Sequence, residues 1–508
     1  MASMSYKLLC GTFLFSMLSA AAFAALPSDP TPTIATQILP APTVQQERPW
    51  SAPAQGLDLN FLYVPEGTTD TEHVLPPFTL GCPDELKIQL GGSYVFRYEK
   101  RRNFDLNSSK DDNDSLRFMR TFLDLDVVYR GMIRGYMQLI DAQVSNYRVE
   151  PSPFSIDRWD IYQLFVELKE SPESPFTLRL GRQVLPTVSE GRVWGKPPVE
   201  YYWFNIIPVF DGAMLDYKSK NFDSHLFLLR PLVPRTLQDG VSRADSLREI
   251  DGRLHYGSYN VWRGWAPHRL EFYLLGLHDG DKNRVFPPSY TSEDKVAGSL
   301  DRYTVGAFMR GPIHEWENCG TLGYGIEGAF QWGHQSNDDI KAYMLHGDIN
   351  YQWVHPWKPK VTLLGNLGTG DRKRGDGENN TFDPMFGASH GPYGTMDFEK
   401  LTNLREVALT ASVEPTKKLK VTAELHKFWL DSRTAPWVSP LGINYGSDPT
   451  GQSGRDIGAE ADLTIAYQAS KKLRIETGAG HYFGGRFSEK RGDTGNANFM
   501  FVQTVIKF

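Results

Sequence analysis

The chain has 508 residues, a formal charge of −6, 13% aromatic residues, 46 Gly and 33 Pro, and a mean hydropathy of −0.40. The acidic balance excludes a general nucleic-acid binder. Beyond the first residues no run approaches the roughly 18 apolar residues of a spanning helix, so a helical membrane protein is excluded too.

Met1 to Lys7 is followed by an apolar run from Leu8 to Phe23 that ends in small residues at Ala22 and Ala24. That order reads as a secretory signal over residues 1–24, with cleavage before Ala25, rather than as a buried first helix. Its removal leaves 508 minus 24, or 484 residues, and a charge of −7 once Lys7 is lost. Cys82 and Cys319 then remain, too few for a disulfide scaffold, and isolated thiols are the expectation. Residues 25–84 are Pro-rich, as in Leu26 to Pro32 and Leu39 to Pro42, and read as an extended periplasmic lead-in.

From Glu85 the dominant signal has period two. Leu86, Ile88, Leu90, Tyr94, Phe96 and Tyr98 share one parity, and Lys87, Gln89, Ser93 and Arg97 the other. Alternate side chains lie on opposite faces of a strand, so this segment suits a wall between lipid and water. A soluble sandwich shows the same parity, but the pattern recurs. Tyr324, Ile326, Phe330 and Trp332 alternate with Gly325, Glu327, Ala329 and Gln331. Tyr343, Leu345, Ile349, Tyr351 and Trp353 alternate with Met344, His346, Asp348, Asn350 and Gln352. Ile457, Ala459, Ala461, Leu463, Ile465 and Tyr467 alternate with Gly458, Glu460, Asp462, Thr464 and Gln468. Segments of this length match a tilted bilayer crossing better than an ordinary globular strand.

Short polar turns are expected at 129–132, 218–221, 414–418 and 468–472. Longer stretches fall at 100–115, 144–157, 185–209, 231–250, 279–299, 371–401, 431–454 and 484–496. Short turns on one rim and long loops on the other predict an all-β, transmembrane, antiparallel up-and-down barrel over residues 85–508. About 18 strands are expected, with both termini periplasmic and the loops outward. Such a barrel leaves an aqueous lumen. The last strand carries Met500, Val502, Thr504, Ile506 and Phe508 on one parity, and its terminal aromatic resembles the recognition signal of bacterial outer-membrane proteins.

Several marks together resemble the alginate-export family of outer-membrane porins. They are Leu178 to Gln183, Glu190 to Gly195, Phe210-Asp211-Gly212, Thr381 to Phe386, His390, Tyr393-Gly394, Asp397, Leu425 to Trp429, and Asp456 to Leu463. The resemblance implies an 18-stranded monomeric channel of a Gram-negative-type outer membrane, passing an anionic uronate polysaccharide along an arginine-rich lining. Lipid and lipopolysaccharide would surround it, and periplasmic secretion partners would feed it. Val184 follows Gln183 where an alginate exporter is expected to carry a basic residue, so the identity of the solute stays open.

A polyanion in a narrow pore gains from guanidinium donors that replace lost hydration. By parity the lumen candidates are Arg97, Arg120, Arg134 and Arg179, joined by the loop residue Arg192 and by Arg182 from the family motif. Asp124, Asp126, Glu327, Glu460 and Asp462 are expected to hold those arginines or to brace the wall. The stretch from Asp371 to Asp397, rich in Gly, is the expected gating loop. Phe382, Asp383, His390 and Tyr393 lie within it, behind a basic start, Arg372, Lys373 and Arg374, read as a solvated or lipopolysaccharide-facing rim.

No catalytic or cofactor motif stands out. Gly191 to Lys196 is one residue short of a P-loop, Asp111, Asp112 and Asp114 lack the spacing of a calcium loop, and His426 reads as a polar lumen residue. An enzyme is therefore not expected, and neither metal nor cofactor. A general porin for small solutes is the alternative channel, and a secreted all-β lyase or glycosidase the rival from another class.

Overall fold

Alternating side chains let one extended segment meet hydrocarbon on one face and water on the other. The computed structural model of the chain is built on that alternation. It describes residues 78–80 and 85–508, except 107–111, 149–154, 187–191, 195–202, 235–246, 250–251, 283–297, 374, 388–389, 441–443 and 491–494. The expected signal and all of the lead-in except 78–80 lie outside the described residues.

A sheet of 21 strands includes three short appendages, Phe78–Leu80, Leu247–Glu249 and Glu378–Asn379, so 21 minus 3 leaves 18 long strands. In chain order these are β1 (Leu86–Arg102), β2 (Asp114–Tyr129), β3 (Ile133–Ser145), β4 (Asp157–Leu168), β5 (Phe176–Val184) and β6 (Val209–Lys218). Next come β7 (Phe222–Pro234), β8 (Arg253–Trp262), β9 (Arg269–Asp279), β10 (Leu300–Trp316), β11 (Gly320–Gln335) and β12 (Asp338–Trp353). The last six are β13 (Lys360–Gly368), β14 (Leu404–Thr416), β15 (Leu419–Leu430), β16 (Asp456–Ser470), β17 (Leu473–Gly484) and β18 (Ala497–Lys507). Each pairs antiparallel with its neighbour, and β1 pairs with β18, placing Arg97 opposite Gln503. Closure removes the free sheet edges that hydrocarbon does not tolerate.

The eight predicted long stretches all fall between strands at one end. The ninth connection there is the tight Ser336-Asn337 turn between β11 and β12, and the short turns lie at the opposite end. Exposed Leu90, Leu164, Leu228, Leu274, Ile326, Leu345, Leu363, Leu425 and Met500 form the outer belt, with Tyr129, Trp262, Trp316 and Trp353 at the turn rim. Interfacial aromatics of this kind anchor a barrel at the edges of the hydrocarbon.

Two local features depart from simple alternation. Ile457 was expected to face lipid, but the β15–β16 register skips it, and the bulged residue is fully buried inside. A bulge inserts one unpaired residue and turns its side chain to the other face. Gly181 on β5 faces Gly212 on β6, both at positive φ. A Cβ there would lie 2.4 Å from the Leu164 carbonyl oxygen or 2.2 Å from that of Leu228, so only glycine fits.

The lumen differs from an open aqueous bore. Trp194, Trp203, Phe382, Tyr393, Phe398 and Trp437 come from loops at the long end, yet all are buried against wall residues such as Tyr259, Tyr273, Phe428 and Phe501. Loop aromatics fold inward because exposing them at the rim costs about 25 cal/mol for each Å² of apolar surface left in water.

Candidate functional site

The parts with chemistry are the lumen wall and the described residues that reach into it from two loops, 185–208 between β5 and β6 and 369–403 between β13 and β14.

The 185–208 loop is held at both sides of the barrel. Arg192 donates to Glu327 on β11 at 3.1 Å and meets His346 on β12 at 2.9 Å, with both charged partners buried. Glu327 also accepts the Tyr273 hydroxyl at 2.9 Å, so the carboxylate is bonded on both oxygens. Trp194 stacks on Phe227 and Tyr259, at 4.9 and 5.1 Å between centroids. On the other side Arg97 donates to the Trp203 carbonyl and lies 4.1 Å from the Trp203 ring. Arg120 donates to the Phe204 carbonyl at 2.8 Å. Arg97 and Arg120 are thus in the lumen, and they position loop backbone there.

The 369–403 loop is held by carboxylates. Glu460 accepts the backbone N–H groups of Thr395 and Met396 at 2.7 and 2.9 Å, and Asp462 accepts the Thr395 hydroxyl at 2.6 Å. These two acids were expected to hold arginines or to brace the wall; Glu460 holds loop backbone instead, and Asp462 a loop hydroxyl. Asp383 pairs with Arg302 on β10 and exchanges backbone bonds with the Gln331 amide at 3.0 and 2.7 Å. Burial pushes the Asp383 carboxyl up, but Arg302 and Lys400 outweigh it and hold the group below its ordinary range. Burial also lowers the Lys400 ammonium, and it raises Glu399, whose carboxylate accepts the Tyr482 hydroxyl at 2.9 Å. Phe382 and Tyr393 are fully buried. Arg372 and Lys373 stand exposed at the rim, and Arg374 lies outside the described residues. Asp371, where the expected gating loop begins, is pushed up to about 6 by burial.

The loops meet each other at His390. Its ring stacks on Trp203 and its Nδ1 lies 2.8 Å from Asp397, which also accepts the Trp203 indole N–H at 3.0 Å. Sequence reasoning singled out His390 but not Trp203, which lies in a loop without periodicity.

Toward the turn end the wall carries a charged network. Arg134 donates to both oxygens of Asp126 at 2.8 and 2.9 Å and to Glu167 at 3.1 Å, and Arg179 also donates to Glu167, at 2.9 Å from Nε. Asp124 accepts the Gln138 amide at 2.8 Å. Glu167 was missed because only the β4–β5 register sets it opposite Arg179.

Arg182 is the correction. Its neighbours Arg179 and Gln183 are buried inside, so Arg182 shares the parity of exposed Leu180 and sits opposite exposed Leu164. Its guanidinium pairs with Asp211 at 3.0 and 3.1 Å on the outer face. Gly181, having no side chain, gave no parity mark beside it. Among the described residues no group of His, Cys, Asp and Glu is arranged to hold a metal ion.

A family model described as alginate export matches residues 86–503. Solved structures of similar fold include Pseudomonas aeruginosa OccD3 (OpdP), 12% identical, TM-score 0.54, over 86% of this chain and 95% of that one. Pseudomonas aeruginosa OpdK with vanillate is 11% identical, TM-score 0.53, over 83% and 98%. The outer membrane protein OprD of Pseudomonas aeruginosa is 10% identical, TM-score 0.52, over 83% and 94%. At such identities the likeness concerns the fold alone. No curated protein sequence matches the chain.

Proposed function

The chain belongs to the alginate-export family and is a channel-type β-barrel of the bacterial outer membrane, and on that premise we propose that it passes an anionic uronate polysaccharide or acidic oligosaccharide. The observation that carries this reading is the convergence of Arg134 and Arg179 on Glu167 in the lumen wall. Two guanidiniums share one carboxylate, and the part-exposed Arg134 presents positive charge to a passing sugar acid, while Asp126 and Glu167 temper the field. Conduction needs that balance, since a solute must leave as readily as it enters. Bidentate donors suit planar carboxylates, and Arg134 is only partly buried.

In this reading the short turns and both termini face the periplasm, where secretion partners would present the polymer, and the long loops face outward. A single chain encloses its own lumen and acts as a monomer. The described parts of the 185–208 and 369–403 loops, docked on Arg97, Glu327 and Glu460, are the movable elements of the path. A second reading, a porin for small acidic solutes, is favoured by the depth to which those loops fill the lumen. OpdK, similar in fold, was solved with the small carboxylate vanillate.

Planar-bilayer recording tests both. Oligouronates should block the current, and uncharged oligosaccharides of equal length should not. Arg134→Gln with Arg179→Gln should weaken the block severalfold, whereas Arg182→Gln should leave it unchanged. Equal passage of charged and neutral oligomers would overturn the polyanion reading, and shortening of the polymer by the purified barrel would revive the enzyme.

A further inference from the structure

Glu399, near the end of the 369–403 loop, is buried against the lumen wall among groups of its own sign. Glu406 on β14, Glu424 on β15, and Glu460 and Asp462 on β16 surround it, with Asp462 opposite Glu424 and Glu460 opposite His426 in the β15–β16 register. His426 is the base of this group; its Nδ1 lies 2.6 Å from Glu406, and its buried Nε2 has no partner. Among the described residues no lysine or arginine pairs with Glu399, Glu406, Glu424, Glu460 or Asp462. Lys400, next in the chain, lies by Asp383 and Arg302 instead. Tyr482 on β17 and Tyr445 of the 431–455 loop complete the surround, and Arg101, whose charge reaches Tyr445, is bonded to Glu99. On the loop itself Asp397 is taken up by Trp203 and His390.

The bonds to Glu399 do not suit a charged carboxylate. Its Oε1 meets the Tyr482 hydroxyl at 2.9 Å, but that single proton is shared with the Ile457 carbonyl at 3.1 Å. Its buried Oε2 has no donor. A carboxylate so poorly solvated, facing other acids, is costly, and a neutral carboxyl is much less so. Burial pushes the Glu399 carboxyl well above its ordinary range, and the charge of Glu406 adds to the push. The same stretch attaches the loop: Glu460 accepts the Thr395 and Met396 N–H groups, and Trp437 donates to the Phe398 carbonyl at 3.2 Å. Docking the loop therefore carries Glu399 into the acid cluster.

We propose that the 369–403 loop is a proton-dependent gate: Glu399 docks against the wall only with a proton bound, and its ionisation releases the loop from the lumen. Docking takes one proton from solvent onto a Glu399 oxygen, and release returns it. In the released loop Glu399 is solvated and its charge costs nothing. Docking is then fully supported below the pH at which a solvated glutamate ionises, about 4.3, and is lost as pH rises through the higher value of the docked residue. Asp371, at the start of the loop, responds at about 6; Glu399 supplies a second, more alkaline step. The wall acids Glu406, Glu460 and Asp462 make that step a release, because the new charge appears beside theirs.

Planar-bilayer recording of the purified protein in an Asp371→Asn background, between pH about 6 and about 10, isolates this step from that of ordinary carboxyls. Open probability should rise with pH, and the logarithm of the open-to-closed ratio should climb by about one unit per pH unit where Glu399 titrates. Glu399→Gln, which cannot ionise, should lose that one-proton slope, and Glu399→Asp should restore it. A side chain that only filled space would shift opening equally at every pH and leave the slope alone. Infrared difference spectra of the Asp371→Asn protein give a reading that needs no change at Glu399: the C=O stretch of a protonated carboxyl should vanish over the pH range in which the channel opens. An unchanged slope in Glu399→Gln, a Glu399→Asp profile as flat as that of Glu399→Gln, opening indifferent to pH in the background protein, or a missing acid band would each overturn the proposal.

Discussion

Trp203 and His390 lie face to face, their ring centroids 3.8 Å apart and their planes within 8°. They belong to different loops, and this contact joins the segment anchored by Arg97 to the segment anchored by Glu460. Asp397 clamps both rings, accepting the indole N–H and lying 2.8 Å from the imidazole. Neither loop can leave the lumen without breaking contacts made by the other.

Trp203→Ala should therefore loosen both loops. Truncating a buried aromatic costs about 3–5 kcal/mol, here spent on loop docking while the strand ladder stays intact. The expected result is a larger single-channel conductance with unchanged heat-dependent gel mobility. Unaltered conductance would place the conduction path away from this junction.

Arg192 and Glu327 give a second handle on the same loop. Removing one partner of a buried pair costs about 3–5 kcal/mol because the other charge is stranded. Arg192→Gln and Glu327→Gln should each raise open probability, and the double variant should raise it by less than the sum of the two. Additive effects in the double-mutant cycle would mean that the pair does not couple loop to wall.

Loop docking should weaken as pH rises. Burial lifts Asp371 to about 6 in the docked loop, while a solvated aspartate titrates near about 4. The protonated carboxyl suits the buried site, so its contribution is fully present below about 4 and lost as pH rises through about 6. Protease cutting of the 369–403 loop should increase between those values in wild type. Asp371→Asn, which cannot ionise, should flatten that rise, and an identical profile in the variant would remove Asp371 from the process.

Cys319, exposed in the turn between β10 and β11, reports orientation. In a Cys82→Ser background a membrane-impermeant maleimide should label Cys319 only after the outer membrane is permeabilised. A cysteine introduced at Lys373 in a Cys82→Ser/Cys319→Ser background should be labelled in intact cells. The reverse pattern would turn the barrel over.

Much of the wall was legible in the linear pattern. The parities at Arg97, Arg120, Arg134 and Arg179 place them inside, since successive side chains on a strand have no other choice. Legibility ended where alternation was interrupted. Gly181 hid the outward turn of Arg182, and the unpaired residue at Ile457 sent an apolar side chain inward. The role of Glu460 was hidden for a different reason: its face could be read, but its partners are backbone amides of a loop 64 and 65 residues away.

Strand number, inner and outer faces, and the rim that carries the long loops follow from the order of residues alone, because a two-residue period needs only neighbours to define it. Which loops enter the bore, and whether each arginine meets a loop carbonyl, a wall carboxylate or the membrane, was decided by closure of β1 onto β18. Only a closed ring brings Trp203 and His390 into one space, and no local spacing encodes that meeting.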